Sequence, residues 1–241
     1  MTEGYLSIVI PTLDAAGQLP ACLGALGEAQ QSGLLREIII ADAAGGADAA
    51  GMEGAGCAET VEIAHGFGAS VFLAPRGRGP QLAAGAARSS GRWLLFLHAD
   101  TRLESGWSRE VAAHIAGPGA AEKAAAFRLR LDDAAPQARR IEGLAAWRGR
   151  RLGLPYGDQG LLIARALYDE VGGFRDLPLM EDVDLVRRLG RGRLAFLESA
   201  AVTSAARYRR DGWWLRPARN LTLLGLYFLG LPPRWLVHLY G

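Results

Sequence analysis

Short apolar runs, each closed by a polar or charged residue, punctuate the first hundred positions of the chain. Four of them are LSIVI at 6–10, EIIIA at 37–41, SVFLA at 70–74 and WLLFLHA at 93–99. They are nearly continuous in apolar residues instead of alternating, the pattern of parallel strands covered on both faces. Between them lie Ala- and Leu-rich stretches, QLPACLGALGEAQQ and PQLAAGAARSSG, that suit crossover helices. The β-α-β-α order predicts an α/β fold on a mainly parallel central sheet flanked by helices. Residues 43–56 form the one low-complexity patch, an Ala/Gly loop.

After Asp100 the rhythm changes. SREVAAHIAG predicts a helix ending near Pro118, and AAAFRLRLDD predicts an edge strand of alternating character. A basic helix over 137–152 stops at GLPYGDQG, where Gly and Pro mark a loop. GLLIARALYDEVGGF reads as strand then helix, closed by a glycine pair, and RDLPLMEDVD opens a further helix, DLVRRLGRG. The chain is expected to be one domain over 1–241: a nucleotide-binding half at 5–100, an acceptor-facing half at 101–205, and a basic, aromatic helical segment at 206–241.

That last segment ends WWLRPARNLTLLGLYFLGLPPRWLVHLYG. Its apolar core at 221–231 holds eleven residues, against the roughly 20 a membrane-spanning helix needs. Two readings stay open: a helix packed on its own domain or on a second copy of the chain, and an interfacial anchor. Trp213, Trp214, Trp235 and the nearby arginines suit a headgroup boundary.

Composition narrows the functions. In 241 residues, 27 Lys and Arg oppose 25 Asp and Glu, for a net charge of +2, which is no electrostatic footprint for a nucleic-acid binder. Cys22 and Cys57 have neither CxxC spacing nor a histidine cluster, so no zinc site or disulfide framework is expected. The start MTEGYLSIVIPTLD carries an acid and no basic residue before its short apolar run, unlike a signal peptide. A cytoplasmic location is the expectation, with peripheral membrane contact open through the C-terminal segment.

In an open parallel sheet, ligands bind outside the carboxyl ends of the strands. PTLD follows the first run, Asp42 the second, PRGRGPQ the third, and His98, Ala99 and Asp100 the fourth. Asp42 is placed to accept from a base or ribose hydroxyl, with Pro11 and Thr12 as one wall of a base pocket; a turn or cap role is its alternative. In PRGRG, glycines let backbone N–H groups approach an anion while Arg76 and Arg78 neutralise phosphate. The stretch is neither a dinucleotide fingerprint, since Leu82 stands at the third glycine, nor a P-loop. Asp100, at a strand end facing that loop, can ligate Mg²⁺ or Mn²⁺ while a diphosphate supplies other oxygens. Glu181 and Asp182 open a helix, where free N–H groups keep a carboxylate ionised and fit for general-base work. Helix capping is the structural alternative for these acids.

Assembled, SIVIPTLD, EIIIADAAGGAD, FLHADT, GDQGLLI, VGGF and MEDVDL make the sequence resemble family 2 glycosyltransferases of the GT-A fold. RGRGPQLAAGAA, PYGDQG and SAARYRRDGW look more specifically like a bacterial subgroup described as arsenosugar-biosynthesis or radical-SAM-associated glycosyltransferases. The resemblance implies inverting, metal-dependent transfer, of a hexosyl group, from a nucleotide-diphosphate sugar, most commonly a UDP-sugar, to an acceptor hydroxyl. By that likeness Pro11, Thr12 and Asp42 contact base and ribose, and Arg76, Arg78 and Gln81 lie near the diphosphate. His98, Ala99 and Asp100 form the DXD-like motif with Asp100 the metal ligand. Asp182 is the base with Glu181 beside it, and Asp158, Gln159 and Arg207 serve sugar or acceptor. The segment Arg207, Tyr208, Arg209 and Arg210 lies where relatives can close a lid over the diphosphate. This chain departs from the family pattern at His98, which replaces the motif's first acid, at Asp14, where Asn is common, and in lacking a Ser after the second strand.

Two other functions compete. A non-catalytic nucleotide-sugar binder has no need of both Asp100 and Asp182. A nucleotidyltransferase should carry a basic glycine loop after the first strand, where this chain has PTLDAAGQL.

Overall fold

The computed structural model describes residues 4–43 and 57–240. Most of the Ala/Gly loop singled out above, and the glycine turn after Asp42, lie outside the described residues.

Eight strands build one sheet: β1 (Leu6–Thr12), β2 (Leu35–Asp42), β3 (Ser70–Leu73), β4 (Trp93–Phe96), β5 (Thr101–Leu103), β6 (Ala124–Leu131), β7 (Leu161–Ala164) and β8 (Leu194–Thr203). Their spatial order is β3-β2-β1-β4-β7-β6-β8-β5. The four apolar runs of the first half form the parallel block β3-β2-β1-β4. Three helices serve its crossovers: α1 (Leu19–Gln31), α2 (Ala58–Gly66) and α3 (Arg78–Arg88). The small residues of α3 let it press on β1, because a Cβ on Gly85 would lie 2.3 Å from Val9 Cγ1.

The second half makes the sheet mixed. β7 runs antiparallel to both β4 and β6, β6 pairs parallel with β8, and β5 pairs antiparallel with β8. One expectation is corrected here. The strand at 124–131 is interior rather than an edge: Ala124, Ala125, Ala126 and Phe127 are fully buried, and only Arg128 and Arg130 break out to solvent. LAFLESAAVT, which has no regular apolar period, forms β8, a ten-residue strand that pairs on both sides. Its register against β6 slips between Ala126 and Arg128, and the Phe127 carbonyl at the slip accepts from Gln159 Nε2 at 2.9 Å.

The remaining helices are α4 (Trp107–Ala116), α5 (Pro136–Trp147), α6 (Arg165–Glu170), α7 (Glu181–Leu189), α8 (Ala206–Asp211), α9 (Leu215–Phe228) and α10 (Pro233–Tyr240). The expected basic helix at 137–152 divides into α5 and a π turn over Arg148–Leu152. Of the readings for the C-terminal segment, packing on its own domain holds for one face. Leu223 and Leu236 are buried against Leu179, and Leu224 against Leu154, Val183 and Val186. No described helix is long and apolar enough to cross a membrane.

Candidate active site

The expected site residues fall into two groups. At the ends of β1 and β2, Thr12 Oγ1 donates to Asp42 Oδ1 at 2.9 Å, and the Cys57 backbone N–H donates to Asp42 Oδ2 at 2.9 Å. Gln81 Nε2 donates to the carbonyls of Thr12 at 2.8 Å and Ala41 at 2.7 Å. Thr12, Asp42 and Gln81 are buried, as is Pro11. These polar groups are spent on one another, tying α3 to two strand ends. A buried amide and carboxylate with protein partners hold the sheet edge together. Ala99 is also buried, and Arg76 is exposed beside the start of α3. Gln159 is buried, its amide taken by the Phe127 carbonyl and the Tyr156 N–H.

The second group lines a cleft. Arg78 opens α3, His98 and Asp100 follow β4, Asp158 sits on a tight turn over Gly157–Gln159, Glu181 and Asp182 open α7, and Arg207 reaches in from α8. The sequence supplies each position for a local reason. Gly77 takes φ +125° to let α3 start beside the sheet, and Met180 is held at φ +65° so that α7 begins with both acids. A left-handed non-glycine residue costs of order 1–3 kcal/mol and persists only where its surroundings hold it. The Glu181 and Asp182 backbone is aimed in this way.

Within the cleft, Asp182 is fixed by two backbone donors, Gly157 N–H to Oδ2 at 2.7 Å and Val183 N–H to Oδ1 at 2.7 Å. The His98 ring lies against the same glycine: a Cβ there would meet Nε2 at 2.7 Å and Asp182 Oδ2 at 3.4 Å. Arg78 Nε pairs with Glu181 at 3.2 Å, and Arg207 Nη2 approaches Asp100 Oδ2 at 3.9 Å.

Electrostatics separate the roles. Burial, with Asp182 adding to it, pushes Glu181 up to about 7 against the pull of Arg78. Burial also raises Asp158 to about 6, against Arg148 and with Asp182 and Asp100 adding, and Asp158 Oδ1 has no hydrogen-bond partner. Burial and then Arg78 lower His98 to about 4, so near neutral pH it is an uncharged imidazole where the family motif has an acid. Behind it, the buried Cys22 thiol is pushed up to about 12 and donates to the His98 carbonyl at 3.6 Å.

Sequence reasoning passed over several cleft residues. Met180 and Tyr156 line it, and Arg148 stacks 3.3 Å from the Tyr156 ring centroid. Arg216 and Asn220 enter from α9, beside Tyr208 of the expected lid segment, which stacks on Trp213 at 5.8 Å. Arg216 and Asn220 lie in none of the motifs; helix packing alone brings α9 to the wall. The basic segment of α8 also divides. Arg209 pairs with Asp133 and Arg210 with Asp211, each at 2.7 Å, while Arg207 and Tyr208 face the cleft.

Comparison with known proteins bears on the family and the fold. Residues 7–161 match the model of glycosyl transferase family 2. No curated protein matches the chain in sequence. Among solved structures, a mannosyltransferase from Pyrobaculum calidifontis in complex with GDP-Man and Mn²⁺ superposes with a TM-score of 0.64 at 15% identity. That match covers 98% of this chain and 68% of the other. Glucosyl-3-phosphoglycerate synthase from Mycobacterium tuberculosis, with Mn²⁺, UDP and phosphoglyceric acid, gives 0.60 at 18% identity, over 95% and 80% of the two chains. TarS of S. aureus, residues 1–349, gives 0.57 at 12% identity, over 98% and 69%. These likenesses establish the GT-A fold, and with the family match over most of its length the chain belongs to glycosyl transferase family 2.

Proposed function

We propose that this glycosyltransferase moves a hexosyl group from a nucleotide-diphosphate sugar to an acceptor hydroxyl by a single inverting displacement. The observation that carries the reading is the arrangement of Asp182 in one cleft with Asp100, Arg78 and Arg207. A base held by two backbone N–H groups faces cations that suit a departing diphosphate.

Asp182 takes the proton of the acceptor O–H as that oxygen bonds to the anomeric carbon. The bond from the anomeric carbon to the diphosphate oxygen breaks on the opposite face, and the electron pair leaves with the diphosphate. Arg78 and Arg207 stabilise the leaving charge. Asp158, half-buried and with no hydrogen-bond partner at Oδ1, is the side chain suited to accept from a sugar or acceptor hydroxyl. Glu181, paired with Arg78, holds that guanidinium at the cleft wall.

A hard divalent cation fits the residues present. Among the described residues no three His, Cys, Asp or Glu side chains form a metal-binding group. Asp100 would hold Mg²⁺ or Mn²⁺ by one carboxylate, as such ions are held when substrate phosphates supply further oxygens. Bound there, the cation supplies positive charge to the leaving diphosphate. The ligands bound in these neighbours, GDP-Man, UDP and Mn²⁺, support this donor class. The motif likeness to the arsenosugar-associated subgroup names no acceptor.

The test is calorimetric binding and turnover of a panel of UDP- and GDP-hexoses, with and without Mn²⁺, on wild type, Asp100→Ala and Asp182→Asn. Metal-dependent binding of one donor, lost in Asp100→Ala, together with binding but no turnover in Asp182→Asn, is the expected result. Binding by no donor, or full turnover in Asp182→Asn, would overturn the reading.

A further inference from the structure

Helix α9 presents two faces of opposite use. One lines the cleft through Arg216, Asn220 and Leu223. The other leaves Trp214, Ala218, Leu221, Gly225 and Phe228 exposed, an uninterrupted stripe at helical spacing with no charge in it. Trp214 is 69% exposed and Leu229, just past the helix, 85%. Helix α5 and the π turn after it carry a second stripe, Arg140, Leu144, Trp147 and Arg151, likewise exposed. The two stripes meet, since the Arg140 guanidinium lies 5.9 Å from the Trp214 ring. A contiguous apolar surface on this scale calls for an occupant.

Charge says which. Between 212 and 241 the chain has no Asp or Glu. Guanidinium groups bracket the α9 stripe at both ends, Arg140 at Trp214 and Arg187 at Phe228, the latter 4.8 Å from the ring. Arg151 and Arg234 are exposed as well. Apolar side chains with tryptophans, rimmed by arginine and with no acid in either stripe, match an interface of acyl chains and anionic headgroups. At 14 residues, α9 is too short to span such a layer and of a length to lie in it.

We propose that the joined faces of α5 and α9 dock this protein on an anionic phospholipid bilayer, with α9 lying in the headgroup boundary. The cleft then stands beside the membrane, because the docked helix is also one of its walls. The proposal goes beyond the transfer reaction, and it is tested without donor or metal, so its failure is separable from failure of that reaction.

The experiment is co-sedimentation of the full chain with vesicles of phosphatidylcholine alone or mixed with phosphatidylglycerol, at low and high salt. Lipids brominated along the acyl chain serve as quenchers of tryptophan emission. Expected are binding to the anionic vesicles only, loss of binding at high salt, and quenching on the wild-type protein. Affinity should fall at least about tenfold in Trp147→Ser/Trp214→Ser, whose lost side chains were exposed in the free fold. Arg140→Glu/Arg187→Glu should remove the preference for anionic lipid, with circular dichroism showing both variants folded. Absence of vesicle binding or of acyl-chain quenching by the wild type would overturn the proposal. So would binding unchanged in both variants, or a wild-type dimer that shields these tryptophans from a soluble quencher.

Discussion

The backbone N–H of Gly157 donates to Oδ2 of Asp182 at 2.7 Å, across 25 residues of sequence. The bond ties the turn after β6 and α5 to the first turn of α7, and it aims the carboxylate on which the proposed reaction depends. Gly157→Ala would put a methyl group 2.7 Å from His98 Nε2 and 3.4 Å from that same oxygen. A displacement near 1 Å in a catalytic group can cost on the order of 10²-fold. The expected outcome is a fall of that order in kcat with the thermal midpoint little changed. Asp182→Asn should lower kcat by about 10²- to 10⁴-fold while the donor Kd holds. Single-turnover kinetics beside calorimetry checks both.

Glu181 and His98 should pull the stability of the metal-free protein in opposite directions as pH falls. Burial raises Glu181 from 4.5 to about 7, so the folded chain binds that proton more tightly than the unfolded chain. Its contribution is complete below pH 4.5 and lost as pH rises through about 7. His98, lowered from 6.5 to about 4, contributes stability above pH 6.5 that is lost as pH falls through about 4. Glu181→Gln removes the first term alone. Its thermal midpoint should therefore fall more steeply than that of the wild type between pH 7 and 4.5, the interval set by the Glu181 shift.

Arg207 stands 3.9 Å from Asp100, within reach of a phosphate that a cation on Asp100 would share. Charge-assisted hydrogen bonds contribute about 1.5–3 kcal/mol, so Arg207→Ala should weaken donor binding by roughly 10- to 100-fold with the fold intact. Removing divalent cations with EDTA should abolish donor binding in wild type and in Arg207→Ala alike, and Mn²⁺ should restore it. Isothermal titration with and without chelator reads both effects.

The buried pair of Thr12 and Asp42 carries a structural prediction. Thr12→Val deletes the donor to Asp42 Oδ1 and leaves a buried carboxylate oxygen short of a partner, at a cost of about 1–3 kcal/mol. Gly85→Ala, whose new methyl would lie 2.3 Å from Val9 Cγ1, should cost about 1–3 kcal/mol by overpacking. Urea unfolding measures each, and lowered midpoints at an unchanged slope are expected.

The part of the molecule whose physics is local can be read from the chain alone. The runs at 6–10, 37–41, 70–74 and 93–99 became β1 to β4, because continuous apolar stretches separated by small-residue helices have one good burial, a parallel block covered on both faces. Asp100 after β4 and the acids that open α7 were legible for the same reason, since strand ends and helix starts are written in neighbouring residues. Tertiary structure decided the rest. Strand β8, with Glu198 in its middle, is a strand because β6 and β5 offer it hydrogen-bond partners on both sides. Thr12, Asp42 and Gln81 meet one another, a pairing across 30 and 69 residues that no local pattern encodes. Asp182 takes its place opposite Gly157, and α9 becomes a wall of the cleft, only when distant segments pack, because burial and hydrogen-bond satisfaction are properties of the assembled chain.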